Sequence, residues 1–337
     1  MKKNKLGKSG IEIPPIIFGT SCFGNLYNAL EFEAKVAIAR EWFNAVDGQV
    51  VIDTAGKYGA GLSLECIGEA LRELGIPPEK IVVSNKLGWK RVPLKTPEPT
   101  FEPGAWVGIE HDAVQNISYS GILECFEQGC ELIGREYSPQ LVSVHDPDEY
   151  LAAACGSEDR IARLDDILEA YVALEELKKQ GRVKAIGIGS KDWRVIKEIN
   201  KLVNLDWVML ACSLTPYRHE PELISFIDEL TQKGVGIINS AVFNSGFLIG
   251  GEYFDYSIPA PESHAHLFEW RKEFLEVCRK YDVTPAAACI QFGMDIPGVC
   301  ATALNTSKPA NIARNVACMK ENIPDDFWIE LTQRKII

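Results

Sequence analysis

The sequence predicts an α/β protein in which residues 1–337 form a single parallel (β/α)8 barrel. Eight short runs along the chain are apolar at nearly every residue, as in strands buried on both faces of a parallel sheet. Amphipathic stretches separate these runs. No change in composition divides the chain, although its length also suits two domains. Eight β-then-α units without a boundary predict the barrel.

The apolar runs locate the strands, and helical periodicity locates the helices between them. The eight predicted strands are residues 16–18, 50–52, 81–83, 141–144, 185–188, 207–210, 235–238 and 299–302. The clearest predicted helices are residues 31–46, 62–74, 122–133 and 164–179. The last of these is followed by Gly181 after a lysine-rich final turn, which is a common way for a helix to end.

The turn after the first predicted strand argues against a doubly wound sheet, which is the main alternative. A doubly wound dinucleotide-binding sheet normally carries the fingerprint G-x-G-x-x-G at this turn. The segment here reads GTSCFGNLY and lacks that fingerprint. We therefore expect the barrel, in which active sites lie at the carboxyl ends of the strands.

The connection over residues 88–120 breaks the β/α rhythm and is predicted to be a long active-site loop. It is rich in proline and aromatic residues, and loops of this length inside a compact domain are usually functional or disordered. Trp89, Trp106 and Tyr119 predict an ordered loop that covers part of the protein, and the loop leaves the third strand at its carboxyl end, where a barrel has its active site.

Charge and cysteine usage exclude several classes of function. The formal net charge of −12 disfavours binding to nucleic acids or anionic membrane surfaces. The ten cysteines show no C-x-x-C or C-x-x-H spacing, so we expect no metal site and a reducing compartment. The sequence shows no apolar signal-peptide segment and no 18-residue apolar span. We expect a cytoplasmic protein with a small-molecule substrate, and the oligomeric state is not predicted.

Four polar side chains fall at the carboxyl ends of three neighbouring predicted strands. Asp53 follows the second strand with Tyr58 in the next loop, Lys86 follows the third strand, and His145 follows the fourth. Because the carboxyl ends of parallel strands meet at one end of a barrel, we expect these side chains to share a pocket.

The chemistry of this group is proton transfer. An unperturbed phenol has a pKa of about 10, and the ammonium of Lys86 is expected to lower the pKa of Tyr58. Asp53 would hold Lys86, and a neutral His145 would orient the oxygen of the reacting carbonyl or alcohol. Tyr58 would be the general acid for reduction or the general base for oxidation. This arrangement suits hydride transfer to or from a nicotinamide.

Asp53, Tyr58, Lys86 and His145 resemble the catalytic tetrad of the aldo-keto reductase family, and the likeness covers nearly the whole chain. The opening LGKSGIEIPPIIFGT resembles the N-terminal capping hairpin and first strand of that family. VIDTAGKYG and VVSNKLG resemble its second-strand and third-strand signatures. The resemblance implies a (β/α)8 barrel that binds NAD or NADP across the carboxyl ends of its strands.

Three further strings, FGNLY (23–27), VHDPD (144–148) and NSGFLIGGEYFDY (244–256), resemble the sugar-oxidising branch of this family. That branch includes the D-threo-aldose, L-fucose and L-galactose dehydrogenases. The resemblance implies NAD-dependent oxidation of the C1 hydroxyl of an aldose such as L-fucose, L-galactose or D-arabinose to the lactone. Three alternatives stay open: oxidation of pyridoxal, NADPH-dependent carbonyl reduction, and a dinucleotide-binding sensor or subunit with little catalysis.

The same resemblance locates the cofactor residues and favours NAD over NADP. NADPH-using relatives clamp the 2′-phosphate with a Lys and an Arg, and Asn305 and Asn311 stand at those places. NADP remains the alternative because Lys308 or Arg314 could substitute for the two cations. The predicted cofactor-binding residues are Ser190, Ser240, Asn244, Ser245, Gly246, Asn305, Thr306, Asn311 and Asn315.

Two places depart from the family pattern. Leu214 stands where the family has an aromatic residue that stacks on the nicotinamide, and Ala303-Leu304 replaces a Pro-Gly pair. The predicted substrate contacts are Trp89 and Trp106 in the long loop and Asn25 in FGNLY. For the two tryptophans, the alternative role is to pin the loop to the barrel.

Overall fold

Eight parallel strands close into a barrel in the computed structural model, which describes residues 1–337. In chain order the strands are Ile16–Gly19, Val50–Ala55, Ile81–Leu87, Leu141–His145, Ala185–Ser190, Trp207–Ala211, Gly236–Ser240 and Val299–Leu304. Each strand pairs with its neighbours in the chain, and the eighth pairs with the first, so the barrel has no free edge. The eight predicted strands are confirmed, and closure excludes the doubly wound alternative.

Helices surround the barrel. In chain order they are Phe32–Ala45, Leu62–Glu73, Tyr119–Ile133, Pro147–Ala152, Ser157–Lys179, Trp193–Ile199, Pro221–Lys233, Ala265–Lys280, Pro285–Met294, Ala310–Cys318 and Asp325–Gln333. The four helices predicted from periodicity are present. The helix predicted over 164–179 begins earlier, at Ser157, because its first two turns are mostly polar and give no apolar signal.

An N-terminal hairpin closes the end of the barrel where the strands begin. Asn4–Lys5 pairs antiparallel with Glu12–Ile13, and Leu6 beside it is fully buried against Trp207 and other apolar side chains. Gly187 makes room for the indole of Trp207, because a Cβ at residue 187 would stand 2.2 Å from that ring. The hairpin cap that the family resemblance implied is present, and it seals this end with apolar groups.

The segment 88–120 is more regular than the predicted loop. Trp89–Pro93 and His111–Gln115 pair as an antiparallel hairpin. The guanidinium of Arg91 lies 2.6 Å from each carboxylate oxygen of Glu65, which fastens this hairpin to the helix after the second strand. Long-range pairing therefore orders a segment whose composition alone suggested a loop.

Tyr119 does not help to cover the barrel, which corrects the prediction made for it. It stands at the first residue of the helix Tyr119–Ile133, its side chain is 36% exposed, and its hydroxyl donates to Glu176. The helix begins three residues before the predicted start, so Tyr119 belongs to the outer helical layer.

The remaining features of the fold concern the helices and the thiols. None of the helices combines the length and the apolar character that a membrane span requires. All ten cysteines are free, and eight of them are buried. Buried thiols of this kind pack as small apolar side chains.

Candidate active site

The four predicted catalytic residues meet at the carboxyl end of the barrel. Asp53 and Lys86 lie within the second and third strands, and His145 is the last residue of the fourth. Lys86 pairs with Ala55, two residues beyond Asp53, so both charged side chains are on the same face of the sheet. Tyr58 lies three residues beyond the second strand, in the turn that follows it.

These side chains form a continuous chain of contacts. The ammonium of Lys86 pairs with a carboxylate oxygen of Asp53 and donates to the hydroxyl of Tyr58 at 3.0 Å. The other oxygen of Asp53 accepts from Ser84 at 3.1 Å. The ring of His145 meets the ring of Tyr58 edge-on, with centroids 5.7 Å apart. Asp53 therefore fixes Lys86, and Lys86 fixes the phenol.

Close packing of two loops sets the place of Tyr58. The first-strand loop crosses directly over the Tyr58 turn, and a Cβ on Gly24 would stand 2.5 Å from the carbonyl carbon of Tyr58. Thr20 in that loop donates to the backbone carbonyl of Asp53 at 2.9 Å, and Ser63 donates to the carbonyl of Thr20. Only glycine fits at residue 24, so the string FGNLY serves in part to let these two loops pack closely.

The pKa of Tyr58 differs from the prediction. Burial raises it above the usual value, and the nearby ammonium of Lys86 opposes this without outweighing it. The predicted lowering by Lys86 is present as one contribution, but the cost of burying a phenolate, which residue types alone did not reveal, outweighs it. Tyr58 is therefore protonated at neutral pH.

His145 and Lys86 have opposite electrostatic environments. Burial, followed by the charges of Lys86, Lys57 and Lys191, holds the pKa of His145 well below its usual range, so the imidazole is neutral. Burial disfavours the charge on Lys86, but Asp53 and then Tyr58 outweigh this and raise the pKa of the ammonium. The site therefore pairs a neutral imidazole with a permanent cation beside the phenol.

A second buried lysine at this end of the barrel, Lys57, was missed by sequence reasoning. Its side chain is 5% exposed, and its ammonium lies 2.7 Å from Glu102, 3.4 Å from Asp146 and 3.2 Å from Glu149. Asp146 in turn lies 3.4 Å from Nε2 of His145. The string VHDPDE could have indicated it, because three carboxylates that follow a buried strand need a cationic partner if they are buried with it.

The long loop supplies an aromatic wall next to the phenol. The ring of Trp106 lies 5.9 Å from that of Tyr58 and 6.2 Å from that of Phe101. The indole N–H of Trp106 donates to Glu102 at 2.8 Å. The predicted substrate residue Trp106 therefore adjoins the reacting group, on a loop held by the same Glu102 that pairs with Lys57.

The other two predicted substrate residues have contacts within the protein. Asn25 donates to the carbonyl of Val107 at 3.1 Å and accepts from the amide of Leu30, which ties the first-strand loop to the long loop. The ring of Trp89 lies 5.1 Å from the ammonium of Lys57, and its indole N–H is buried without a partner. Asn25 thus holds the two loops together, while Trp89 packs against Lys57, the residue before Tyr58.

The loop after the seventh strand offers a concave stretch of backbone. Ala241, Asn244, Ser245 and Gly246 all have positive φ, and a Cβ on Gly246 would meet no atom within 4 Å. Consecutive backbone turns of this kind form anion-binding concavities. The side-chain oxygen of Asn244 is buried without a partner. The amides of Asn244 and Gly246 already donate to the carbonyls of Ala241 and Phe243, so what this stretch offers a dinucleotide is the open space beside Gly246 rather than two free amide donors.

Ser190 and Ser240 lie at the carboxyl ends of the fifth and seventh strands. The hydroxyl of Ser190 donates to the carbonyl of Asp192 at 3.1 Å, and that of Ser240 donates to the carbonyl of Leu210 at 3.2 Å. Both hydroxyls keep their acceptor lone pairs, so each could accept from a ligand amide.

The loop after the eighth strand carries the remaining predicted cofactor residues. Asn305 is exposed and donates to Ser21 at 3.0 Å, and Asn311 donates to the hydroxyl of Thr306 at 3.2 Å. Asn315 is half-buried on the following helix. These side chains are all neutral, whereas a 2′-phosphate is bound best by cations.

Leu214 is fully buried among apolar side chains beneath the helices, so it offers no face to a nicotinamide. A residue that sequence reasoning did not single out, Tyr256, lies at the barrel mouth instead. Its ring is 5.2 Å from the ammonium of Lys191, and its carbonyl accepts from Tyr27 at 3.1 Å. The string NSGFLIGGEYFDY that resembles the sugar-oxidising branch therefore ends with an aromatic ring at the mouth.

The profile of the Aldo/keto reductase family matches residues 15–335. The chain belongs to this family. It is thus an oxidoreductase of a family that uses nicotinamide cofactors and acts on small molecules.

Three curated relatives match the chain over most of its length. A pyridoxal 4-dehydrogenase of Microbacterium luteolum is 27% identical, over 100% of this chain and 98% of that protein. A D-threo-aldose 1-dehydrogenase of a Pseudomonas species is 28% identical, over 98% of this chain and 96% of that protein. An L-galactose dehydrogenase of Arabidopsis thaliana is 22% identical, over 94% of this chain and 87% of that protein.

Solved structures confirm the fold. An aldo-keto reductase of Bacillus halodurans in its holo form aligns with a TM-score of 0.71 at 21% identity, over 99% of this chain and 96% of that one. A glycerol dehydrogenase of Gluconobacter oxydans aligns with a TM-score of 0.70 at 16% identity, over 98% and 94%. At these identities the likeness concerns the (β/α)8 barrel alone.

Proposed function

We propose that this protein is an NAD-dependent aldose 1-dehydrogenase that oxidises the C1 hydroxyl of a free sugar to the lactone. The observation that carries the proposal is the contact chain from Asp53 through Lys86 to Tyr58, with a neutral His145 against the phenol. This chain can take a proton from an alcohol or return one to a carbonyl. The candidate sugars are L-fucose, L-galactose and D-arabinose.

Each residue has a separate task in the proposed reaction. Tyr58 accepts the proton of the C1 hydroxyl, and Lys86 stabilises the phenolate while Asp53 keeps the ammonium in place. A neutral imidazole N–H of His145 donates to the sugar oxygen and orients C1. A bound nicotinamide dinucleotide supplies the hydride acceptor. Its pyrophosphate would lie over residues 244–246, where the backbone has positive φ and the space beside Gly246 is open.

The raised pKa of Tyr58 sets the expected pH dependence. Burial favours the protonated phenol, which is the form needed for reduction. Oxidation needs the phenolate, so its rate should rise as the pH rises toward the pKa of Tyr58. Reduction should stay level over the same range and fall above it.

The sugar class is supported by the relatives and by the aromatic wall. Two of the three relatives above bear the names of aldose or galactose dehydrogenases. Trp106 presents its ring close to Tyr58, and sugar-binding sites commonly set an apolar ring face against an aromatic side chain. The preference for NAD is supported by the neutral Asn305 and Asn311 in the eighth-strand loop.

Pyridoxal oxidation is the second candidate. A pyridoxal 4-dehydrogenase is 27% identical over the whole chain, and an aromatic substrate would also suit the wall formed by Trp106 and Phe101. Both candidates use the same proton-transfer groups, so only the substrate distinguishes them.

The deciding experiment measures NADH formation at its absorbance band. The purified protein is given NAD⁺ or NADP⁺ with L-fucose, L-galactose, D-arabinose, D-glucose or pyridoxal. We expect reduction of NAD⁺ with one or more of the first three sugars, and none with D-glucose. Turnover of pyridoxal alone would replace the sugar proposal with the second candidate. No turnover of any substrate, despite tight NADH binding, would favour a dinucleotide-binding sensor or subunit.

A further inference from the structure

Lys57 joins three carboxylates that come from two different parts of the chain. Glu102 belongs to the long loop, whereas Asp146 and Glu149 belong to the short helix after the fourth strand and its N-cap. Lys57 itself immediately precedes Tyr58 in the turn after the second strand. One ammonium therefore links the Tyr58 turn, the aromatic wall and the end of the strand that carries His145.

Such a cluster needs a reason, because burying charges is costly. Moving an ion out of water costs several kcal/mol even after relaxation, and an apolar side chain of similar volume often serves stability equally well. Lys57 is almost fully buried, and Asp146 adopts a left-handed backbone conformation, with φ of 45°, that an aspartate adopts only at some cost. Both features indicate that these residues do more than stabilise the fold.

Asp146 connects the cluster to the imidazole. One of its carboxylate oxygens, Oδ2, lies 3.4 Å from the ammonium of Lys57 and 3.4 Å from Nε2 of His145. The other ring nitrogen of His145, Nδ1, is buried without a partner. A negative charge beside Nε2 attracts the imidazole proton to that nitrogen, because a neutral histidine has one proton to place on either side.

We infer that Lys57 is a positioning residue, which keeps Asp146 ionised beside His145 so that the imidazole carries its proton on Nε2. Through Glu102 the same ammonium holds the loop that sets Trp106 against Tyr58. This inference rests on the proposed function for its kinetic consequences, and it concerns only residues of this chain.

The ionisation of Asp146 depends on charges from every element around it. Burial raises its pKa to about 6, the positive charge of Lys57 opposes this rise, and the negative charge of Glu149 adds to it. The charged and titratable groups around Asp146 come from several parts of the chain. Lys57 and Tyr58 lie in the second-strand turn, and Glu102 acts through Lys57. Asp148 and Glu149 lie on the helix that Asp146 caps, Lys191 lies in the fifth-strand loop, and Tyr256 lies in the seventh-strand loop. Without Lys57 the carboxyl group would hold its proton to a higher pH.

The main variant is Lys57→Met, which keeps the length of the side chain and removes its charge. In the wild type, kcat/KM should decrease with falling pH, and the decrease should become steeper below about pH 6, where Asp146 becomes protonated. In Lys57→Met this break should move up by about one pH unit or more, since a close opposite charge shifts a carboxyl pKa by that much. Lys57→Arg should restore the break, because it restores the positive charge.

The tautomer of His145 gives a readout that needs no substrate. The nitrogen signals of a ¹⁵N-histidine-labelled protein distinguish a proton on Nε2 from one on Nδ1, and His145→Gln identifies the signals of His145 among those of the five histidines. We expect the Nε2 tautomer at pH 7 in the wild type. Lys57→Met and Asp146→Asn should both shift the population toward Nδ1. If Lys57→Met does not fold, Asp146→Asn tests the link from Asp146 to His145, and Lys57→Gln tests the link from Lys57 to Asp146.

Two further variants separate this role from simple stabilisation. Glu102→Gln weakens the contact between Lys57 and the long loop but keeps the charge of Lys57, so it should raise KM and move the pH break much less than Lys57→Met does. Lys178→Met removes a matched ion pair at the opposite end of the barrel, where the ammonium lies 2.5 Å from Asp206. It should lower thermal stability and leave both the tautomer and the pH profile unchanged.

The outcomes distinguish this inference from the proposed function. If Lys57→Met and Asp146→Asn both keep the Nε2 tautomer and the wild-type pH break, the inference is wrong and the cluster is structural. If the wild type oxidises neither sugars nor pyridoxal, the proposed function fails, and the tautomer measurement still decides the role of Lys57.

Discussion

The two ends of the barrel bury different kinds of side chain. Where the strands begin, Leu6 and Trp207 pack into an apolar plug. Where the strands end, Asp53, Lys86 and Lys57 are buried as charged groups. Removing apolar surface from water favours folding, whereas burying ions costs free energy that their pairing offsets only in part. One end therefore stabilises the barrel, and the other uses that stability to hold reactive groups in place.

The largest expected effect comes from the phenol at the charged end. Tyr58→Phe removes the only group placed to exchange a proton with the substrate, so kcat should fall by about a hundredfold to ten-thousandfold. Binding of NADH and thermal stability should change little, because the ring remains. Steady-state kinetics and NADH titration check this. A variant that keeps more than a tenth of the wild-type kcat would contradict the role of Tyr58.

The next effect concerns the apolar end. Trp207→Ala should lower the free energy of unfolding by about 3–5 kcal/mol, because it leaves a large cavity in the plug. Denaturant unfolding measures this loss, and Trp207→Phe should lose less. The kcat of the folded fraction should be unchanged in both variants. A matching loss of kcat at temperatures where the protein is folded would show that the two ends are not independent.

A smaller effect should follow from adding a charge beside the eighth strand. Asn311→Arg restores a cation at the place where NADP-using relatives carry one. One charge-assisted contact to the 2′-phosphate should improve NADPH binding by about tenfold or more. Titration with NADPH and NADH measures the ratio of the two dissociation constants, with Asn311→Gln as the neutral control. Tight NADPH binding by the wild type would instead assign that role to Lys308 or Arg314.

The smallest effect concerns the aromatic wall. Trp106→Leu keeps an apolar side chain beside Tyr58 but removes the flat ring face. If a sugar packs on this ring, KM for the sugar should rise by about two- to tenfold with little change in kcat, in keeping with the strength of aromatic contacts. Trp106→Phe should lie between the two. An unchanged KM in Trp106→Leu would leave the tryptophan with a loop-holding role alone.

Local sequence patterns were sufficient for the barrel and for the meeting of the four predicted catalytic residues. Each strand is apolar over most of its length, and parallel closure brings all carboxyl ends together whatever the loop conformations. The same logic gave the effect of Lys86 on Tyr58 but not the net direction of the pKa, because burial of a phenol depends on what covers it. It also missed Lys57, whose partner Asp146 lies 89 residues further along the chain.

The sequence by itself determined the fold class, the family and the polar strand ends, since these follow from residue types in local order. Only the tertiary structure decided that segment 88–120 pairs as a hairpin, that Leu214 is buried away from the mouth, and that Lys57 meets Glu102 and Asp146. The physical reason is that burial, charge pairing and long-range strand pairing depend on groups far apart in the chain. Such groups become neighbours only after the barrel closes.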